Sequence, residues 1–513
     1  MSNKLSLLAG IITFCVLHLV VAGTSHAIPA FSRAHKVECT TCHTIYPELN
    51  EYGDAFLKNS YVYVGKGSKT AKKPAAAPAP AAAAAKETPA GDAPLVKGDG
   101  DAGKLSKLKA GAMGAGAAPQ ATAAAPAEAP AAEAAEAQSE GMMLAGIPEQ
   151  LPISFTGSIN YSAGDRNNAS PGGNNVDFSA QSFKLQAGGN FRDKVGFFVT
   201  YLAYSQGASN DNTSVTPPNN GTNINEFFMQ WRNALGTPVN VKIGRFQPKL
   251  GLWKSNNKVS MTYNYIPYSY TVGTLTSGSV FRVDQPQDAI ELNSILGKRF
   301  FAAAGIVNHK GQNQKDGYGH FSYKFGGADY LGNEPNVDLD KEESVLDFLT
   351  VSTGAYGYYG ENGVYDNNSI PRNTFYRAGL DAEVLYKIFR LRMLAGYGHD
   401  DNVLLNTHPT PWTDVFSKTA AVEAEVTLLV NLIAAGRFEY LQETSDNTPV
   451  NPTLNNNRDI YIRRYIATLA YAPLENLKLA LEYKYETGPN LRSTFYDPNS
   501  INRIGTASAT FSF

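Results

Sequence analysis

The stretch Leu477-Lys478-Leu479-Ala480-Leu481-Glu482-Tyr483-Lys484-Tyr485 alternates without a break, every odd position being Leu or Tyr and every even one charged or small. A period of two marks a β-strand whose faces meet different surroundings. The pattern returns at Phe183, Leu185, Ala187, Gly189 and Phe191 against Ser182, Lys184, Gln186 and Asn190, and at Tyr376, Ala378, Leu380, Ala382 and Val384 against Arg377, Asp381 and Glu383. From Leu151 to Phe513 no helix-length apolar run and no sustained helical period interrupts these segments, so this part of the chain is all-β.

A soluble sandwich would also alternate, but three features select a transmembrane antiparallel β-barrel. Short turns at Arg192 to Val195, Gly297-Lys298 and Leu474 to Asn476 alternate with long polar connections at Ser162 to Val176, Gly207 to Thr222, Asn402 to Thr413 and Thr444 to Asn457. Outer-membrane barrels pair short periplasmic turns with long outer loops in this way, and carry girdles of Tyr and Phe at strand ends. The terminal Ala507-Ser508-Ala509-Thr510-Phe511-Ser512-Phe513 is an alternating strand ending on Phe, similar to the signal read by the outer-membrane insertion machinery. Counting strands with alternating loop lengths gives about 16 over 149–513, an even number that puts both barrel ends on the periplasmic side. The Tyr-rich stretch Pro248 to Val283 is assigned to one long outer loop, either a hairpin or an inward-folded constriction, and Glu334 to Ser344 is too long for a simple turn. The inward face carries Arg377, Asp381, Glu383, Arg390, Arg392, Glu423, Glu425, Arg437, Glu439, Arg464, Glu482 and Lys484. Mixed signs on successive strands favour cross-strand pairing, which either keeps a lumen hydrated or forms a lining that holds a plug or guides an ion.

The chain begins differently. Lys4, the apolar run Leu5 to Val21 and Ser25-His26-Ala27 form a signal peptide over 1–27, cleaved after Ala27. The segment 28–64 follows, and within it Cys39-Thr40-Thr41-Cys42-His43 is the Cys-x-x-Cys-His attachment pattern of a c-type haem: both thiols form thioethers and the imidazole of His43 becomes an axial iron ligand. Zinc would want a second ligand pair, yet the other cysteine, Cys15, lies in the signal. A thioredoxin-type dithiol would want a βαβ setting. Pro47 can start a helix, with Leu49, Tyr52, Phe56 and Leu57 near one face that covers the haem or forms the segment's small core. From 65 to 148 the composition is Ala, Pro, Gly and sorted charge, too poor in aromatic and branched residues to fold, and reads as a disordered linker. With 44 Lys and Arg against 46 Asp and Glu, the chain shows no sign of a nucleic-acid partner.

Ala27-Ile28-Pro29-Ala30-Phe31-Ser32-Arg33, the motif at Cys39 to His43, and Tyr46-Pro47-Glu48-Leu49-Asn50-Glu51-Tyr52-Gly53-Asp54-Ala55-Phe56 together resemble the fused monohaem cytochrome-porins of bacterial outer membranes, of iron-oxidase type. The resemblance covers the haem segment closely and the barrel in kind, and the long linker departs from it. It implies one covalent haem c and a place in the outer membrane lipid, with the haem segment periplasmic or in the lumen. It further implies an Fe(II)-oxidising oxidoreductase that passes electrons from an extracellular donor to a periplasmic c-type cytochrome. Outward electron transfer to extracellular acceptors, and a diffusion porin with a haem sensor appendage, are the alternatives. For the distal iron ligand His35 is the nearest residue; Met113, Met142, Met143, His309, His320, His399, His408 and water are the other options.

Overall fold

The computed structural model describes residue 37 and residues 39–62, 153–166, 174–205, 224–254, 257–261, 265–272, 279–309, 314–333, 344–363, 372–403, 414–445, 459–474, 476–488 and 500–512. The assigned signal peptide and linker, His35 and most of Glu334 to Ser344 lie outside the described residues.

Sixteen strands form a closed antiparallel barrel, the number the alternation predicts. Each strand pairs with its sequence neighbours, and Ser500–Ser512 closes the ring against Ile153–Arg166. At one place the ladder skips a long excursion, residues 247–286, and joins Val239–Phe246 directly to Gln287–Leu296. No described helix is long and apolar enough to cross a membrane.

The pattern of exposure is inside-out. On Leu477–Gly488, Leu481 and Tyr483 are 59% and 50% exposed while Glu482 and Lys484 are 4% and 2% exposed. Neighbouring strands repeat this, with Leu380, Phe321 and Ile306 outside and Asp381, Ser322 and Val307 inside. A soluble protein would bury the first set; a barrel in lipid presents it to hydrocarbon and turns its polar side chains to the lumen. Closure is what makes this workable, because every strand then has two neighbours and no edge is left unpaired in lipid.

Short turns occur where the sequence places them. Arg192 and Asp193 take positive φ of 51° and 56°, and Gly297 and Lys298 take 53° and 65°, the left-handed pair that a tight hairpin twist requires. One connection is shorter than its polarity suggests. The described parts of Ser162 to Val176 are strand: Ile153–Arg166 and Asn174–Phe191 stay paired, across one shift of register after Ser158, out to Asp165 opposite Asn174. The second of these is 18 residues long, whereas about 9–11 suffice to cross the hydrocarbon. The surplus projects into water, where polar side chains fit a ladder as well as a loop.

Inward charges pair across strands. Arg392 lies 3.0 Å from Glu383, Arg464 lies 2.9 Å from Glu439 and 2.6 Å from Glu486, and Arg437 lies 3.5 Å from Glu423. Charging the other face should be costly: Leu481→Arg is expected to lower the stability of the vesicle-inserted barrel by about 2–4 kcal/mol, read by reversible denaturant unfolding. No loss would mean that this face does not meet lipid.

Candidate functional site

The residues around the Cys-x-x-Cys-His motif make three short pieces of structure. Cys39–Thr41 is one 3-10 turn, and the Cys42 N–H donates to the Cys39 carbonyl at 3.1 Å. His43–Ile45 then pairs with Glu48–Leu49, and Glu51–Lys58 is an α-helix. That helix starts after Pro47, not at it. Pro47 sits in the hairpin turn, and the helix begins where Asn50 can cap it, its side-chain oxygen accepting the Gly53 N–H at 2.9 Å. Asn50 also donates from its amide to the carbonyls of Thr40 and Thr41 at 3.0 and 3.1 Å, and from its backbone N–H to Cys42 at 3.0 Å. One side chain therefore fastens the helix to the motif. Gly53 completes the contact, since a Cβ there would stand 2.1 Å from the Cys42 carbonyl oxygen.

The motif residues suit a c-type haem. His43 Nδ1 lies 3.1 Å from the Glu48 carbonyl; a carbonyl only accepts, so Nδ1 carries the proton and Nε2 keeps its lone pair for a metal. Burial lowers the His43 pKa, which favours the neutral, ligating imidazole. Burial, with the neighbouring Cys39, pushes the Cys42 thiol up to about 11, an environment better matched to a neutral thioether than to a thiolate. Among the described residues no cluster of three or more His, Cys, Asp or Glu is arranged to hold a bare metal ion. His309 and His320 face Asp316 and Asp381 at 2.9 and 3.1 Å, and His399 faces Asp414. His35, His408 and the three linker-region methionines lie outside the described residues.

This segment reaches inward side chains all around the barrel. The Tyr46 hydroxyl is hydrogen-bonded to Thr156 at 3.0 Å. Glu48 meets Arg390 and Arg392 at 2.8 and 2.9 Å, and Glu51 meets Lys324 at 2.7 Å. Ile45 packs with Ile433, Ala470 and Ala480. Tyr61 stacks on Phe198 and Phe228, with centroids 6.0 and 6.5 Å apart, and Asn190 donates to the Ser60 carbonyl at 2.8 Å. A stretch of 24 residues that touches strands on opposite walls through their inward faces fills the lumen. All these wall residues lie near the end that carries the short turns. Phe56 and Leu57 pack in the cluster containing Phe228 and Phe246, so the apolar core they join is shared with the wall and is not private to the segment.

A second element crosses the lumen beside it. The described residues of the excursion 247–286 fold inward, as one of its two readings anticipated, and include a hairpin of Ser269–Val272 with Ser279–Arg282. Its backbone is tied to the far wall: Leu252 N–H donates to Asp381 at 2.9 Å, Met261 to Glu482 at 2.8 Å and Ile266 to Glu439 at 2.9 Å. From the same excursion Asn257 Oδ1 accepts the Leu49 N–H at 2.6 Å, joining the two fillings.

Sequence patterning does not single out Glu48, Asn50 or Gly53. The cap signal at Asn50 was available locally, but the partners of Glu48 lie more than three hundred residues along the chain.

The fold and lumen define the class: an outer-membrane-type β-barrel whose interior is occupied by its own N-terminal segment. No family model matches the chain and no curated protein is similar to it in sequence. Similar solved structures include the trimer form of OmpT, an outer membrane protein of Vibrio cholerae, at 12% identity and TM-score 0.45, covering 70% of this chain and 99% of that one. An anion-selective porin from Comamonas acidovorans is similar at 9% identity and TM-score 0.44, covering 70% and 98%. The outer membrane channel DcaP of Acinetobacter baumannii is similar at 13% identity and TM-score 0.40, covering 70% and 96%.

Gly53→Ala should force the helix off the Cys42 carbonyl and destabilise the lumen segment by about 1–3 kcal/mol. Limited proteolysis of the folded protein would show faster cleavage near 39–62, with the strands still protected; equal cleavage rates would contradict the contact.

Proposed function

We propose that this chain is an outer-membrane electron conduit, passing electrons between an extracellular donor, Fe(II), and a periplasmic c-type cytochrome through one haem c held by Cys39, Cys42 and His43. The observation that carries the reading is the seat of the motif: a Cys-x-x-Cys-His turn held within the lumen at the short-turn end, with the His43 Nε2 lone pair available. When bound, the haem would supply a one-electron centre inside a layer whose hydrocarbon, about 30 Å thick, otherwise insulates the two sides. The chain's own residues do the rest. His43 is oriented by the Glu48 carbonyl, Cys39 and Cys42 stand at the spacing of thioether attachment, and Asn50 and Gly53 hold the turn against the helix. The short-turn end corresponds to the periplasmic side in outer-membrane barrels, so the site would face a periplasmic partner, and ferric product would stay outside. Electron flow in the opposite direction uses the same parts.

A second reading has its own observation. The excursion pinned to Asp381, Glu439 and Glu482 narrows a charge-lined lumen, as suits a selective diffusion pore in which the N-terminal segment is a haem-bearing appendage.

The two readings separate in liposomes that hold the haem-loaded protein and an enclosed electron acceptor. On addition of external Fe(II), the conduit predicts haem reduction followed by reduction of the acceptor, with little passage of small sugars. His43→Ala should abolish the haem spectrum and the transfer while leaving the barrel inserted. Free passage of sugars together with a haem that ignores external Fe(II) would remove the conduit reading and leave the pore.

A further inference from the structure

Glu48 is engaged at both ends. Its carbonyl accepts the Nδ1–H of His43 at 3.1 Å. Its carboxylate, with no exposed surface, lies 2.8 Å from Arg390 and 2.9 Å from Arg392, neighbours on one face of the wall strand Phe389–Asp400. The next residue is held as well: the Leu49 N–H donates to Asn257 at 2.6 Å, and Arg390 donates to the Leu49 carbonyl at 3.1 Å. The backbone atom that aims the imidazole is therefore fixed from the barrel wall and the inward excursion, and not by the segment alone. The wall side is itself braced, with Arg392 at 3.0 Å from Glu383 and 3.3 Å from Glu425.

Resting on the haem reading above, we propose that Glu48 is a positioning residue for the axial ligand His43, coupling the seating of the segment in the barrel to the electronic state of the iron. A ligating imidazole whose Nδ1–H is held by a carbonyl has a fixed tautomer and ring orientation and is a stronger donor. Axial donation is one of the protein's levers on haem potential. Loss of the Arg390 and Arg392 contacts would let the hairpin His43–Leu49 shift and lengthen that hydrogen bond. The ferric state would then be less well stabilised and the potential would rise. Removing the negative charge of Glu48 near the iron acts in the same direction.

The test uses the full-length, haem-loaded protein in liposomes, with barrel folding checked by circular dichroism. Glu48→Gln should raise the midpoint potential and shift the visible haem bands, Arg390→Gln should shift the bands in the same way while the loss of its own positive charge opposes the rise in potential, and Glu48→Asp should restore most of the wild-type value. Lys324→Gln serves as the control, since it breaks a separate segment-to-wall ion pair, Glu51 with Lys324 at 2.7 Å, without touching the hairpin; it should leave potential and spectrum unchanged. An unchanged potential in folded Glu48→Gln overturns the inference, as does an equal shift in all three charge-removing variants, which would report general loosening. Wild-type protein without covalent haem would instead overturn the underlying reading, a failure visible before any variant is made.

Discussion

Hydrocarbon offers a backbone N–H or C=O nothing to bond with, and that single fact organises the molecule. A sheet can enter lipid only if it has no edge, so the last strand, Ser500–Ser512, must find the first, Ile153–Arg166, more than three hundred residues earlier. Sixteen strands meet the condition at a circumference wide enough to leave an aqueous interior. Polar residues turn inward because lipid excludes them, and the interior then has both the width and the chemistry to receive another piece of chain. The barrel's lumen is thus a by-product of closure before it is a site.

What fills the lumen is matched to it at two levels. Apolar contact comes from Phe56, Leu57 and Tyr61 against Phe198, Phe228 and Phe246; burial of a side chain such as Phe56 contributes about 1.5–3 kcal/mol. A stretch of 24 residues could not generate this core from its own side chains. Charge supplies register. Glu48 enters between two arginines already shared with Glu383 and Glu425. Buried ion pairs contribute little net stability because desolvation offsets attraction, but an unpaired buried carboxylate is strongly disfavoured. Other depths of insertion, which would leave Glu48 without its arginines, are thereby excluded.

The barrel was legible because its signal is periodic and local. Leu477 to Tyr485 states the two faces in nine residues, and turns such as Gly297-Lys298 follow from backbone sterics. Strand ends were less so: Ser162 and Val176 read as loop because strands that run past the membrane are polar on both faces. At the site, Cys39, Cys42 and His43 stand out through contiguous spacing alone. Their surroundings do not, since Glu48 acquires its meaning from Arg390 and Arg392, and Gly53 from a carbonyl eleven residues back, relations that no window of sequence displays. Phe56 and Leu57 were visibly apolar, but the surface awaiting them belonged to a different part of the chain.

Both ends of the lumen segment's contacts, Tyr46 with Thr156 and Ser60 with Asn190, fall at the same mouth of the barrel, the mouth where the first strand begins and the last one finishes. The described segment is thus anchored at one opening of the cylinder. On the wall side those contacts are made by inward side chains, so the ladder of inter-strand hydrogen bonds that closes the cylinder does not depend on them.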